Sequence, residues 1–236
     1  MKLESDSIAA VVDLYKNTPE FLTKIKSDKT RTQYSYQLSR LCALEGVSEI
    51  SLEELNTAKC QEIYWQLLNS AKGDGIRFAN YTLQIVTRVW NVLMRYDLLI
   101  RNPWQFVERA KPEPRNTVWT SKDFRLFLET SFAEPKWRNI GLLVRINVEL
   151  GQRIEDIRLA KWENFDLEDK LYRREVIQKT KERIPGIPLS DNVVKMLEQQ
   201  KEVYDFQEWV VPHPFTLVPY NEGQISKGFR CIMSSA

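Results

Sequence analysis

Histidine, cysteine and glycine are scarce in this sequence. Its 236 residues include one histidine, three cysteines and eight glycines. No CxxC pair is present and His213 is the only histidine, so the usual ligand sets of zinc are missing and we expect no bound metal. The cysteines (Cys42, Cys60 and Cys231) are far apart and odd in number, which favours reduced structural thiols over a disulfide framework.

Long apolar runs are also lacking. No stretch approaches the roughly 18 residues needed to span a bilayer. The N-terminus, MKLESDSIAAVVDLY, lacks the basic start and cleavage pattern of a signal peptide, so we expect a cytoplasmic protein without membrane contact. No GxxxxGK[ST] loop is present, and no nucleotide or other cofactor is expected. With 43% apolar and 28% charged residues, the composition is that of an ordinary globular protein.

Charge is unevenly distributed along the chain, although the net charge is only +2. Residues 41–62 carry five glutamates against one lysine, whereas residues 72–115 carry eight Lys/Arg against four Asp/Glu. Residues 169–183 carry six Lys/Arg against three acidic residues. Such segregation is compatible with a basic face for a polyanion, and equally with an ordinary solvated surface.

Residues 1–110 predict a bundle of four or five short helices. Over residues 30–45, Tyr34, Leu38, Leu41 and Cys42 fall on one helical stripe. Thr57 is the expected N-cap of a second helix. The buried faces of the second helix and of a longer third one are predicted from the apolar spacing: Ile63, Tyr64, Leu67 and Leu68, then Leu83, Val86, Trp90 and Leu93.

A linker is predicted at residues 111–119, where two prolines stand among charged residues. Residues 120–236 predict a second domain that starts with a Thr120–Asp123 capping box. Its next helix ends at Gly151, and another is expected from about Arg153 to Trp162. The pattern then changes to short strands, the second passing through Val176 and Ile177 and a third confined by its prolines to a sheet edge. Helices after Ser190 and over residues 225–236 complete a mainly α fold with a small antiparallel sheet.

Arg153 follows a helix-ending glycine and stands three residues before Asp156. On one helix the two side chains can meet, and the carboxylate would then orient a guanidinium that binds phosphate oxygens in a bidentate manner. Ile154 and Ile157 are the expected core anchors of this helix. From the pattern alone, an ordinary surface ion pair explains the two residues as well.

The longer stretch around Arg153 resembles the tyrosine recombinase (phage integrase) family. That family's first catalytic arginine lies in a Gly-x-Arg-x-x-Glu/Asp-(aliphatic)-x-x-Leu-x-x-Trp run, and this sequence has GQRIEDIRLAKW at 151–162. Its catalytic lysine precedes an Ile-Pro-Leu strand, and QKTKERIPGIPLS at 178–190 resembles that hairpin, with Lys179 the better match and Lys181 the weaker one. KTRTQY at 29–34 and LIRNP at 99–103 resemble the entry and exit of the family's helical core-binding domain.

The resemblance implies a fold, a chemistry and a set of contacts. The implied fold is an N-terminal, SAM-like helical core-binding bundle (1–110) followed by an α+β catalytic domain (120–236). The implied chemistry is attack by a tyrosine on a DNA phosphodiester, with Arg153 stabilising the phosphate, Asp156 supporting it and Lys179 protonating the leaving oxygen. Double-stranded DNA and further copies of the chain are the implied partners. The DNA-contact candidates are Lys29, Thr30, Arg31, Arg77, Asn80, Arg88 and Lys181.

The family's His-x-x-Arg element and its nucleophilic tyrosine have no match in these 236 residues. His213 stands in VPHPF without an arginine three residues on, and Tyr204 and Tyr220 come too early. We therefore expect a chain that is C-terminally incomplete as a catalytic domain, and that binds DNA without cutting it. The alternatives are a non-catalytic helical module that binds DNA or protein through a merely structural Arg153–Asp156 pair, and a hydrolase built on His213, which lacks a nucleophile motif.

Overall fold

The computed structural model describes residues 5–71, 74–114, 118–173 and 186–235. Its contacts divide the chain into two compact units, Met1–Arg115 and Asn116–Ala236. Within the described residues the chain is mainly helical with a small antiparallel sheet, which confirms the predicted fold class. No described helix has the length and apolar character needed to cross a membrane.

The N-terminal unit contains α1 (Ile8–Lys16), α2 (Asp28–Cys42), α3 (Thr57–Ser70) and α4 (Gly75–Met94). A π-helical turn (Glu20–Lys24) separates α1 from α2, and a 3-10 turn (Pro103–Phe106) follows α4. Side-chain N-caps start the helices, because each caps a backbone N–H that has no partner inside the helix. The caps are Ser7, Ser27, Asn56 and Asp74. Asn56, not the expected Thr57, caps α3, since its side-chain oxygen accepts the N–H of Lys59 at 2.9 Å.

The core of the N-terminal unit is built around α4. The predicted apolar faces of α2, α3 and α4 are buried, although Tyr34, Cys42 and Leu68 are only partly covered. Trp90 on α4 packs edge-on against Trp104 with ring centroids 5.7 Å apart. Both indoles are 1% exposed and rank among the largest buried side chains of the unit, so their contact holds the 3-10 turn against α4.

The C-terminal unit contains α5 (Ser121–Ala133), α6 (Pro135–Leu150), α7 (Ile154–Arg158), α8 (Asp191–Tyr204) and α9 (Glu222–Ser235). The predicted Thr120–Asp123 capping box is present. Gly151 ends α6 with φ 59°, a left-handed conformation that glycine adopts without steric cost, and Ser190 caps α8 as expected. Cys42, Cys60 and Cys231 are all free thiols.

The sheet consists of β1 (Phe165–Asp166), β2 (Leu171–Tyr172) and β3 (Ile187–Pro188) in the order β1-β2-β3, all antiparallel. Phe165 pairs with Tyr172, and Tyr172 pairs with Ile187. The proline-containing strand is at an edge, as predicted. The second strand is Leu171–Tyr172, and Val176 and Ile177, through which it was expected to pass, lie outside the described residues.

The helices of the C-terminal unit share one hydrophobic core, and two further features contribute to their packing. The first is close helix packing, in which Gly228 of α9 lies against Ile140 and Trp137 of α6. The second is a buried polar bridge. Asn139 of α6 donates to the Pro212 carbonyl at 2.6 Å, and Gln200 of α8 donates to Asn139 Oδ1 at 3.0 Å and to the Val210 carbonyl at 2.9 Å. Both amides are almost fully buried, so these bonds satisfy groups that water cannot reach.

Candidate nucleic-acid interface

Arg153 stands at the junction between α6 and α7. The left-handed Gly151 turns the chain, and Arg153 follows with extended backbone (φ −68°, ψ 142°) as the residue before α7. Its carbonyl accepts the N–H of Asp156 at 2.9 Å. Its side chain is exposed, so the guanidinium is open to an external anion.

The expected Arg153–Asp156 salt bridge is absent from the described part of the chain. Because Arg153 precedes the helical turn with extended backbone, the spacing of three residues does not bring its side chain onto the face that carries Asp156. The ion pair of this run instead joins Arg158 to Glu155, with Arg158 Nε 3.0 Å from Glu155 Oε2. Arg158 also donates to the Tyr220 carbonyl at 2.9 Å.

The predicted helix from Arg153 to Trp162 is shorter than expected. α7 ends at Arg158, and a separate 3-10 turn covers Trp162–Asn164. Ile157 is fully buried and anchors α7, whereas Ile154 is 42% exposed and does not.

The chain after α7 is fixed by hydrogen bonds to residues 204–210. The Trp162 indole donates to the Tyr204 carbonyl at 3.1 Å, and the Val210 N–H donates to the Ala160 carbonyl at 3.1 Å. Lys161 pairs with Glu208 at 2.8 Å. These contacts anchor residues 160–162, which follow α7, to residues 204–210. Lys179 and Lys181, the expected general acid and its neighbour, lie outside the described residues.

The three candidates at the start of α2 differ in what they contact. Thr30 donates its N–H to the capping Ser27 oxygen at 3.4 Å. The Arg31 guanidinium donates to the Ile25 carbonyl at 2.5 Å and pairs with Asp28. Arg31 therefore ties α2 to the preceding turn, while Lys29 has an exposed side chain.

The candidates on α4 also differ. Arg77 is exposed and forms a salt bridge with Asp74 at 2.9 Å. Asn80 is held inside the unit, because its Oδ1 accepts the Tyr64 hydroxyl at 2.7 Å and its amide donates to the Ala110 carbonyl at 2.9 Å. Arg88 is exposed and lies beside the buried Tyr15. Burial raises the pKa of Tyr15, and the positive charge of Arg88 offsets part of that increase.

A polar stripe runs along α4 on the side opposite its apolar face. Its members follow one another at intervals of three or four residues, so they share one face of the helix. They are Arg77, Asn80, Gln84, Arg88, Asn91 and Arg95. Five turns of helix place the two ends of this α4 stripe about 27 Å apart.

The C-terminal half of the α4 stripe forms one wall of a groove of about 810 Å³. The residues lining this arginine groove carry three positive charges and no negative one: Tyr34, Gln84, Thr87, Arg88, Asn91, Val92, Met94, Arg95 and Arg109. Arg88 was predicted, whereas Arg95 and Arg109 were missed. The helical spacing from Arg88 to Arg95 is visible in the sequence, but nothing local points to Arg109, which comes fourteen residues after Arg95.

One carboxylate stands near the arginine groove. Glu20 Oε1 is 4.0 Å from Arg95. A hydrogen bond from Lys24 at 2.8 Å and a second from the Tyr96 hydroxyl lower the pKa of Glu20 to about 2. Glu20 is therefore ionised at neutral pH and offsets part of the Arg95 charge, which leaves Arg88 and Arg109 as the less screened cations.

Comparison with known proteins gives matches in structure only. No protein-family model and no curated protein matches the sequence. Among solved structures, a lambda integrase tetramer bound to a Holliday junction superposes with a TM-score of 0.78 at 18% identity over 98% of this chain. The Tn1549 transposon integrase (residues 82–397) in complex with circular intermediate DNA gives 0.78 at 12% identity over 95% of this chain and 78% of its own.

The chain has the tyrosine recombinase fold. The coverage of 95–98% means that both units take part in the match. A lambda integrase dimer bound to a COC′ core site also superposes with a TM-score of 0.78, at 17% identity over 97% of this chain. The chain spans 66% of the lambda integrase chain in the tetramer and 63% of that in the dimer. The expected fold family is thus confirmed. At identities of 12–18%, the structural likeness establishes the fold alone.

Proposed function

We propose that this chain binds double-stranded DNA as part of a site-specific recombinase of the integrase type. The observation that carries the proposal is the arginine groove, which collects Arg88, Arg95 and Arg109 in one concave surface without an acidic lining residue. Arginines in such an arrangement neutralise phosphates and release counterions. The matched lambda and Tn1549 integrases are bound to DNA in their structures, which supports the same ligand for this fold.

In the C-terminal unit, Arg153 is proposed to bind the phosphate at which strands are exchanged. Its side chain is exposed at the start of α7, and a guanidinium stays charged at every physiological pH. Asp156 stands in the first turn of α7 and donates its N–H to the Arg153 carbonyl at 2.9 Å, so its proposed supporting role acts through the backbone and not through an ion pair. Lys179 is proposed as the acid that protonates the leaving 5′-oxygen, and Lys181 as a phosphate contact. No metal or nucleotide takes part, because the covalent 3′-phosphotyrosyl link would conserve the bond energy.

A polypeptide of these 236 residues is proposed to hold DNA without breaking it. It contains no His-x-x-Arg element, and Tyr220 is buried and packs edge-on against His213 with ring centroids 5.0 Å apart. Burial raises the pKa of Tyr220, which is the opposite of what an activated nucleophile needs. Several copies are proposed to assemble on one DNA, as the lambda integrase dimer and tetramer do.

The test is fluorescence anisotropy with a labelled 30-base-pair duplex over a series of salt concentrations. We expect binding that weakens steeply with salt. For Arg88→Ala combined with Arg95→Ala, the slope of log Kd against log salt should be smaller by about 0.9 per lost contact. Arg101→Ala removes one positive charge from an exposed residue outside the groove and serves as the control for the loss of a single charge. A wild-type chain without affinity for DNA at low salt would favour the helical protein-binding module instead.

A second measurement addresses strand cleavage. The 236-residue chain is incubated with duplex and with four-way junction DNA, and covalent protein–DNA adducts are sought on denaturing gels. We expect none, and Arg153→Ala should bind DNA more weakly with no change in thermal stability. An adduct would overturn the proposal that these residues bind without cutting.

A further inference from the structure

Three side chains of α3 and α4 hold residues 108–110 by their backbone. Gln61 accepts the Glu108 N–H at 2.7 Å and donates to the Glu108 carbonyl at 3.2 Å. The Tyr64 hydroxyl accepts the Ala110 N–H at 2.8 Å, and Asn80 donates to the Ala110 carbonyl at 2.9 Å. Tyr64 and Asn80 are joined by their own hydrogen bond of 2.7 Å. We call Gln61, Tyr64 and Asn80 the clasp.

The clasp satisfies both backbone groups of Glu108 and of Ala110, and the residue between them is Arg109. In an extended chain, residues i and i+2 direct their N–H and C=O groups to the same side, as a strand does toward its neighbour. The side chain between them points to the opposite face from those of its two neighbours. Fixing the backbone of Glu108 and Ala110 therefore also fixes the position and direction of the Arg109 Cα–Cβ bond, from which the side chain extends.

Arg109 lines the arginine groove together with Arg88 and Arg95 of α4. It does not belong to a helix or strand, and among the described residues its side chain forms no salt bridge. A long cation on an unrestrained segment would sample many positions, and ordering it on a ligand would cost conformational entropy. The clasp removes the backbone part of that cost before binding.

We propose that Arg109 is a DNA-phosphate ligand, and that the clasp residues are positioning residues that hold it in the arginine groove. This inference rests on the proposed function. It adds residues 108–110, which follow the 3-10 turn of the N-terminal unit, to the proposed DNA-binding surface. It also gives Asn80 a different role from the expected one, since Asn80 acts through Ala110 and not by touching DNA.

The proposal is tested by a double-mutant cycle on the full chain, with the same labelled duplex and salt series. Arg109→Ala should weaken binding about tenfold and reduce the salt slope by about 0.9. Gln61→Ala leaves every positive charge in place, yet should weaken binding several-fold, because Arg109 is no longer held. In the Arg109→Ala background, Gln61→Ala should have no further effect. Gln66→Ala, an exposed glutamine on the same helix, is the matched control and should bind as the wild type does.

Tyr64→Phe provides a second arm of the cycle, with thermal unfolding of each variant as a check on the fold. It removes the hydroxyl that both Ala110 and Asn80 use, and its effect should also vanish in the Arg109→Ala background. Equal losses of affinity with and without Arg109 would show that the clasp acts through the stability of the unit, and would overturn the proposal. So would an unchanged affinity of Arg109→Ala while the Arg88→Ala/Arg95→Ala variant is impaired, in which case the proposed function stands. Absence of DNA binding by the wild type would instead refute the proposed function itself.

Discussion

Replacing Gly228 with alanine tests how closely α9 packs against α6. A Cβ atom at this position would be 2.2 Å from Ile140 Cδ1 and 3.1 Å from Trp137 Cζ3. Carbon atoms in contact are normally about 3.5–4.0 Å apart, so the two helices must separate or Ile140 must move by more than about 1 Å. Ile140 is fully buried and has little free space to move into.

The size of the effect follows from two opposing contributions. Overpacking of this kind costs about 1–3 kcal/mol. Alanine in place of glycine inside a helix contributes about 0.8–1 kcal/mol in the other direction. Gly223, near the start of the same helix, offers a matched control, because a Cβ there would meet only the Asn221 side chain at 3.3 Å. Gly228→Ala should therefore be less stable than Gly223→Ala by about 1–3 kcal/mol.

Urea unfolding followed by tryptophan fluorescence measures this difference. With an m-value of about 2 kcal/mol/M, the transition midpoints of the two variants should differ by roughly 0.5–1.5 M. The m-values themselves should stay the same, since neither substitution changes the surface exposed on unfolding. Equal midpoints for Gly228→Ala and Gly223→Ala would refute the close contact between α9 and α6.

Three further predictions concern the fold. Lys24 and Tyr96 lower the pKa of Glu20 to about 2, so its ionised form stabilises the fold fully above about pH 4.5 and less as pH falls toward 2. Glu20→Gln should thus be less stable than wild type in urea at pH 6, with the gap closing toward pH 2; a gap independent of pH would contradict this. Burial raises the pKa of the Cys60 thiol to about 12, so thiol reagents at pH 8 should label it far more slowly in the folded chain than in urea, and equal rates would contradict its burial. Thr120→Ala removes a capping-box hydroxyl and should lower the urea-unfolding free energy by about 1 kcal/mol, whereas no change would mean that the cap does not stabilise α5.

Local patterns predicted the parts of the fold that depend on neighbours in sequence. The Thr120–Asp123 capping box joins residues three apart, and Gly151 ends its helix through its own backbone conformation. The apolar face of α4 repeats over five turns, so its burial follows from the spacing alone. The Arg153–Asp156 prediction was wrong because it assumed a helix one residue longer at its start, and helix boundaries depend on capping and on tertiary contacts.

The proposed DNA-binding surface was predictable only in part. The α4 stripe is present in the sequence, but Gln84 and Asn91 carry no charge, so a search for clustered arginines breaks the stripe into separate residues. Arg109 could not have been found in this way. Its place in the arginine groove depends on Gln61, 47 residues from Glu108, and on Asn80, 30 residues from Ala110. Contacts of that range are set by the packing of α3 on α4, which no local pattern encodes.

The buried bridge between Asn139, Gln200 and Pro212 has a consequence for how the chain is made. Asn139 is synthesised 73 residues before the carbonyl that it binds. At a translation rate of about 5–20 residues per second, roughly 4–15 s pass before Pro212 has even been added to the chain. During that interval the Asn139 amide lacks the carbonyl that it binds, and the C-terminal unit completes its core only after residue 212 has left the ribosome.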